Sequence, residues 1–257
     1  MNVWSNVFGQ KQVWTGWLSL GSPAIAEITA ASGGFDCLVV DDQHGMLDNN
    51  VLDQFRAIDA GSKGKTVVLA RVHSNHPPAI HKLLDSGAKG IICPMINSAK
   101  EAEGFVKECL FPPLGNRSYG PNRTKFGYSG ESGPFAFASY ANQNVVKLAM
   151  IETKCAFTDI DNILKVQHLD GVFVGPNDLS LAMGFDTMPS PSAIESESTK
   201  CVLNILHNAR LWKKKVGIWS PDSETALGWK SLGFDFVVAG CDSGWFNDGL
   251  KGKGIQK

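Results

Sequence analysis

Short runs of β-type residues alternate along the whole chain with windows of helical spacing, and this alternation restricts its folding more than any other feature. The runs are Val13 to Leu20, Phe35 to Val40, Thr66 to Val72, Gly90 to Met95, Val145 to Glu152, Gly171 to Gly175, Val216 to Trp219 and Phe234 to Gly240. A chain that returns from strand to helix to strand builds a parallel sheet with right-handed crossovers. Eight such units in 257 residues match a (β/α)8 TIM barrel, an α/β fold in a single domain spanning 1–257. A doubly wound open sheet satisfies the same alternation. No run is followed by G-x-G-x-x-G or G-x-x-x-x-G-K-[ST], which removes the commonest nucleotide-binding reasons to prefer the open sheet.

Local signals place the helices. Ser22 suits an N-cap and Pro23 a first helical position for a helix through Ala31, which Gly33-Gly34 stops. Further windows are expected around Leu47 to Ala60, and from Pro77-Pro78 to Asp85, where Ile80, Leu83 and Leu84 share a face. Others are expected at Ser98 to Cys109, after Glu152 through Val166, at Ser192 to Lys215 and at Ser223 to Gly233. Residues Phe111 to Asn144, rich in Gly, Pro, Ser and Asn, interrupt the pattern and read as a long loop insertion, long enough to help form a site.

A net charge of −1 without a basic run gives no reason to expect nucleic acid or an anionic membrane surface as a partner. No window has the apolar length of a membrane span, and Met1 to Asn6 lacks the basic and apolar regions of an export signal, so the expected place is cytoplasmic. The six cysteines form no C-x-x-C pair and read as small buried hydrophobes in a reducing compartment.

Polar chemistry collects at the ends of the runs. Asp41, Asp42, Gln43 and His44 follow the second, Arg71 closes the third, Glu152 the fifth, and Asp178 lies just past the sixth. Parallel barrels place their sites at that end. Carboxylates from different strands suit a hard divalent cation, and two alone leave positions for substrate. Glu152 also fits an ion pair, and Asp178 a helix cap. His44 with Asp41 suits a general base whose tautomer a carboxylate fixes, Arg71 a fork for a substrate carboxylate or a rim salt bridge. His73, His76 and His81 read as surface or loop residues, and His168 and His207 as structural.

Several segments in order resemble the metal-dependent class II pyruvate aldolases, the HpcH/HpaI aldolase and citrate lyase family. They are Gly34-Phe35-Asp36 into Val40-Asp41-x-Gln43-His44, Val68-x-Ala70-Arg71, Leu83-Leu84-Asp85-x-Gly87-Ala88, Pro94-Met95, Phe111-Pro112-Pro113-x-Gly115-x-Arg117, Ile151-Glu152-Thr153, and Asp170 to Ser180. The resemblance runs from about Trp14 to Gly240, and the last segment is its most specific part. It implies a barrel of the phosphoenolpyruvate/pyruvate superfamily type, a homohexamer built as a trimer of dimers, and a last helix exchanged between subunits. The implied reaction is reversible cleavage of a 4-hydroxy-2-oxo acid to pyruvate, or a related α-keto acid, and an aldehyde.

By position, Glu152 and Asp178 resemble the ligands of a Mg²⁺, Mn²⁺ or Co²⁺ ion, and Arg71 the arginine at the keto oxygen. His44 with Asp41 resembles the proton-handling dyad. Asp85 matches an acidic residue lent to the neighbouring subunit's site. The backbone of Gly175, Pro176 and Asn177 would hold the pyruvate carboxylate. No Schiff-base lysine is required, and neither Lys147 nor Lys154 sits at an inward strand end. Three positions depart from the family pattern: Gln43, near the metal-bound waters, where Glu is common, Met150 where Gln is frequent, and Ser118 where Gly is frequent. Two other readings accompany the aldolase: an acyl-CoA carbon–carbon lyase of the citrate lyase β type, and a barrel without catalysis that serves as a binding or scaffold protein.

Overall fold

The computed structural model describes residues 12–47, 50–128 and 133–255. The stretch Met1 to Asn6 and the Ser129 to Ser132 part of the insertion lie outside them, as do Asp48 and Asn49 of the second helical window.

Eight parallel strands close into a barrel in sequence order. They are β1 (Val13–Leu18), β2 (Cys37–Asp41), β3 (Val67–Arg71), β4 (Gly90–Cys93), β5 (Val146–Ile151), β6 (Gly171–Val174), β7 (Lys215–Ile218) and β8 (Phe236–Cys241). The open-sheet alternative is excluded because β8 pairs with β1. Around the strands run α1 (Pro23–Ala31), α2 (Val51–Ser62), α3 (Pro77–Ser86) and α4 (Ala99–Cys109). α5 (Pro134–Asn144), α6 (Lys154–Thr158), α7 (Ile160–Lys165) and α8 (Pro176–Met183) follow, then α9 (Glu197–Leu211), α10 (Ser223–Ser231) and α11 (Asp242–Gly252).

The two-residue period of each strand sorts its side chains into two cores. Cys37 and Val39, Leu69, Ile92, Leu148 and Phe173 fill the barrel interior, while Leu38, Val40, Ala70 and Ile91 pack outward against the helices. Extending the inward series past the strand ends positions the site. Cys37 and Val39 lead to Asp41, Leu69 to Arg71, Leu148 and Met150 to Glu152, and Phe173 to Gly175.

Two expectations are corrected here. The insertion is not loop throughout: a 3-10 turn at Thr124–Gly127 and the helix α5 lie within it. Pro134 at the first turn starts α5, but its small amphipathic face buries only Phe137 and Asn144, so apolar periodicity gave no signal. The cysteines are not uniformly buried either, because Cys155 in α6 is exposed and Cys241 is half-buried at the end of β8. No helix among the described residues is long and apolar enough to cross a membrane.

Candidate active site

The C-terminal ends of the strands surround a cavity of about 260 Å³. Its floor is apolar: Trp17 stacks on Phe173 at 5.6 Å, and Phe173 meets Phe236 edge-on at 5.8 Å. Met150 and Trp219 complete the wall, with Ser19 and Cys241 at the β1 and β8 side. The sequence reading missed Trp17, Ser19, Trp219 and Cys241 as lining residues. Each lies within one residue of the C-terminal end of a strand, but Trp17 and Ser19 fall inside the Val13 to Leu20 run, so the sequence did not mark that end.

Asp41 and Arg71 face each other across the β2–β3 pairing, in register. Arg71 Nε donates to Asp41 Oδ1 at 2.7 Å and Nη2 to Oδ2 at 2.5 Å, the bidentate geometry that makes such pairs strong. Trp17 Nε1 donates to Oδ2 at 3.1 Å, and the guanidinium lies 5.0 Å from the centre of the Trp17 ring. Oδ1 also accepts the backbone N–H groups of Gln43 and His44, at 3.1 and 3.3 Å. Burial alone raises the Asp41 carboxyl, yet the hydrogen bond and charge of Arg71, with help from Trp17 and the His44 N–H, hold it below the ordinary aspartate value.

This arrangement corrects the expected Asp41–His44 dyad. Asp41 reaches His44 only through its backbone, because its oxygens are taken by Arg71, Trp17 and two amides. The His44 side chain stands exposed at the cavity edge. Arg71 is therefore neither a rim salt bridge nor a lone fork: it is a buried cation, 8% exposed, clamped by a carboxylate that is 2% exposed.

Glu152 is buried at 4% exposure, and its Oε1 accepts the Met95 N–H at 2.7 Å. Met95 adopts φ 55°, a left-handed turn that aims this amide at the carboxylate. The other oxygen faces Gly175: a Cβ built there would lie 2.9 Å from Glu152 Oε2 and 2.7 Å from Met150 Cε. Burial raises the Glu152 carboxyl above its ordinary value; the Met95 amide opposes the rise, and the charge of Asp178 adds to it. Asp178 occupies the third position of α8 and lines the cavity beside Gly175, Pro176 and Asn177. Pro176 has no N–H, and the first bonded amide of α8 is that of Leu179, which donates to Gly175 O. The amides of Asn177 and Asp178 thus stand at the positive end of the helix without an intrahelical acceptor.

Two mutually repelling carboxylates with oxygen donors and an open side form a donor set that fits a hard divalent cation. No cluster of three or more His, Cys, Asp or Glu with metal-binding geometry occurs among the described residues, so Glu152 and Asp178 would share such an ion with water and substrate.

The remaining candidates do not line this cavity. Gln43 is half-buried, and its Oε1 is shielded from solvent without a partner among the described residues. Asp85 ends α3 at the opposite end of the barrel, where Arg117 Nη2 donates to it at 2.7 Å, so it does not reach this chain's own cavity. Lys147 pairs with Asp170 near the start of β5, and Lys154 is exposed in α6, so neither lysine enters the site. His81 is not a free surface residue, since its Nε2 lies 3.1 Å from Glu108. His73 is bound to Asp42.

The family described as HpcH/HpaI aldolase/citrate lyase matches residues 15–247. A hydroxypyruvate/pyruvate aldolase of Rhizorhabdus wittichii is 37% identical over 228 residues, covering 88% of this chain and 86% of that protein. A 2-keto-3-deoxy-L-rhamnonate aldolase of Salmonella gallinarum is 29% identical over 234 residues, covering 91% and 84%. A crystal structure of an HpcH/HpaI aldolase/citrate lyase family protein from Burkholderia cenocepacia shares the fold with a TM-score of 0.83 at 23% identity, covering 97% of this chain and 95% of the other. With the match running through nearly the whole barrel, the chain belongs to the HpcH/HpaI aldolase/citrate lyase family.

Proposed function

We propose that this chain is a divalent-metal-dependent pyruvate aldolase, reversibly cleaving a 4-hydroxy-2-oxo acid to pyruvate and an aldehyde. The observation that carries the reading is that Asp178 and the clamped Arg71 line one apolar-walled cavity, with the buried Glu152 carboxylate against the lining residue Gly175 and within reach of the charges of both. Glu152 and Asp178 would hold Mg²⁺, Mn²⁺ or Co²⁺, and the bound ion would act as a Lewis acid toward the keto group.

The chain's own groups divide the remaining work. The amides of Asn177 and Asp178 receive the substrate carboxylate at the start of α8. Nη1 of Arg71, without a partner among the described residues, is available to the keto oxygen. As the C3–C4 bond breaks, its electron pair passes into the enolate, and the guanidinium stabilises charge that is greater in the transition state than in the substrate. The 4-hydroxyl proton leaves as the aldehyde forms, and a proton returned to C3 gives pyruvate. His44 is assigned to this transfer, with Asp41 locking Arg71 and the His44 backbone rather than the imidazole. Trp17, Met150 and Phe173 keep bulk water from the enolate.

The named relatives are aldolases, and the assembled carboxylates and arginine weigh against a barrel without catalysis. The proposal includes a homohexameric state, a cytoplasmic location, and Asp85 acting at a neighbouring subunit's site. α11 rests on its own barrel through Trp245, which stacks on Phe35 at 5.2 Å, while Phe246 remains exposed for exchange or contact with a partner. The test is pyruvate release from a 4-hydroxy-2-oxo acid after chelation and add-back of Mg²⁺, Mn²⁺ and Co²⁺. Activity lost on chelation and restored by add-back supports the reading; cleavage that chelators leave untouched refutes it.

A further inference from the structure

A histidine–carboxylate pair does exist at this strand end, one residue beyond the expected one and between neighbouring strands. His73 Nδ1 lies 2.7 Å from Asp42 Oδ2. The Asp42 side chain is 19% exposed and that of His73 54%, so the carboxylate anchors the pair and the ring reaches outward. Asp42 is fixed from behind, since its N–H donates to Arg71 O at 2.9 Å. A carboxylate on Nδ1 favours the tautomer protonated there, which leaves Nε2 as an acceptor.

His73 lines a second cavity, of about 360 Å³, with Ser74, Asn75, Pro94, Met95 and Glu101. The two cavities share no lining residue and are linked through β2, β3 and Met95. Met95 lines the second while donating its N–H to Glu152, and Asp42 and His73 continue the strands that carry Asp41 and Arg71. Its walls are rich in acceptors: His73 Nε2 and the Glu101 carboxylate, which also holds the Asn97 N–H at 2.7 Å. A ligand with several hydroxyl groups matches such walls, whereas an anionic one meets the charge of Glu101.

The geometry points to the second cavity as the seat of the distal end of the acceptor aldehyde. There His73 determines specificity by accepting a hydrogen bond from a hydroxyl of a short polyhydroxylated aldehyde, and Asp42 is the positioning residue that sets its tautomer. The inference rests on the aldolase reading of the first cavity, because that reaction brings an aldehyde to this rim.

The test compares aldol addition of pyruvate to D-glyceraldehyde and to propionaldehyde, which share chain length and differ in hydroxyl groups. The enzymes are the wild type, His73→Phe, His73→Gln and Asp42→Asn. In His73→Phe the preference for glyceraldehyde, as a ratio of kcat/KM values, falls about tenfold, the worth of one hydrogen bond, with the loss chiefly in KM. His73→Gln, which restores an acceptor, recovers part of the preference, and Asp42→Asn loses less than His73→Phe. An unchanged preference in His73→Phe overturns the inference, as do equal losses on both aldehydes across all three variants. Deuterium exchange at the pyruvate methyl group, which needs no aldehyde, is measured on the same preparations. No exchange in the metal-loaded wild type ends the aldolase reading and this inference with it; normal exchange with an unchanged aldehyde preference ends this inference alone.

Discussion

Replacing Asp41 by Asn tests whether the clamp on Arg71 is a buried ion pair or a rim contact. An exposed pair contributes about 0–1 kcal/mol, whereas removing one partner of a buried pair costs about 3–5 kcal/mol, because the other charge is left unpaired. The burial of both groups and the bidentate bonds at 2.7 and 2.5 Å place this pair in the second class. Urea unfolding at neutral pH of the wild type, Asp41→Asn, Arg71→Met and the double variant measures it as a thermodynamic cycle. The double variant is expected to be more stable than the two single losses added together imply, since it buries no lone charge. The pair also has a pH signature. The Asp41 carboxyl is held below its ordinary 3.8, so its contribution is complete above that value and is lost as pH falls through the lower folded value. The wild type should therefore lose stability more steeply than Asp41→Asn below about pH 4. A single-variant cost under about 1 kcal/mol, or simple additivity, would refute the buried-clamp account.

Gly175→Ala places a methyl group 2.9 Å from Glu152 Oε2 and 2.7 Å from Met150 Cε. It should cost about 1–3 kcal/mol of stability and lower Mn²⁺ affinity as followed by electron paramagnetic resonance; unchanged affinity would detach Glu152 from the metal. Asp85→Ala removes the partner of the buried Arg117 and should lower stability by about 1.5–3 kcal/mol in urea, with little loss meaning that the contact is dispensable. In thiol titration of the folded protein, the exposed Cys155 should react first. Cys109, whose thiol burial pushes up to about 12, and Cys201, at about 11, should react only on unfolding, a pattern that prompt reaction of either would contradict.

The barrel was legible because its signal is local: apolar runs of strand length, glycines and caps at the breaks, and polar residues at the run ends. The inward direction of Asp41, Arg71 and Glu152 follows from the same period of two. Partner choice was not legible, because it is set across strands. Asp41 was paired with the imidazole three residues along, whereas the guanidinium opposite it in register lies thirty residues away in the chain. The Asp42–His73 contact was missed for the same reason, with a separation of 31 residues. α5 escaped because it lies within a segment rich in Gly, Pro, Ser and Asn, and a single phenylalanine with one asparagine is all that it buries. Gln43 was singled out as the departure closest to the expected metal waters. Its Oε1 is shielded from solvent, without a hydrogen-bond partner among the described residues and so without such a bond to Glu152 or Asp178.

The central claim is that Glu152, Asp178 and Arg71 together make a metal-assisted enolate of pyruvate. Proton NMR of the pyruvate methyl signal in D2O, with metal-stripped enzyme and stepwise addition of Mg²⁺, measures this without any aldehyde. The account predicts no enzyme-dependent exchange without metal, exchange that saturates as metal is added, and none at any metal concentration in Glu152→Gln or Asp178→Asn. Exchange at full rate in the stripped enzyme, or its persistence in both carboxylate variants, would contradict it.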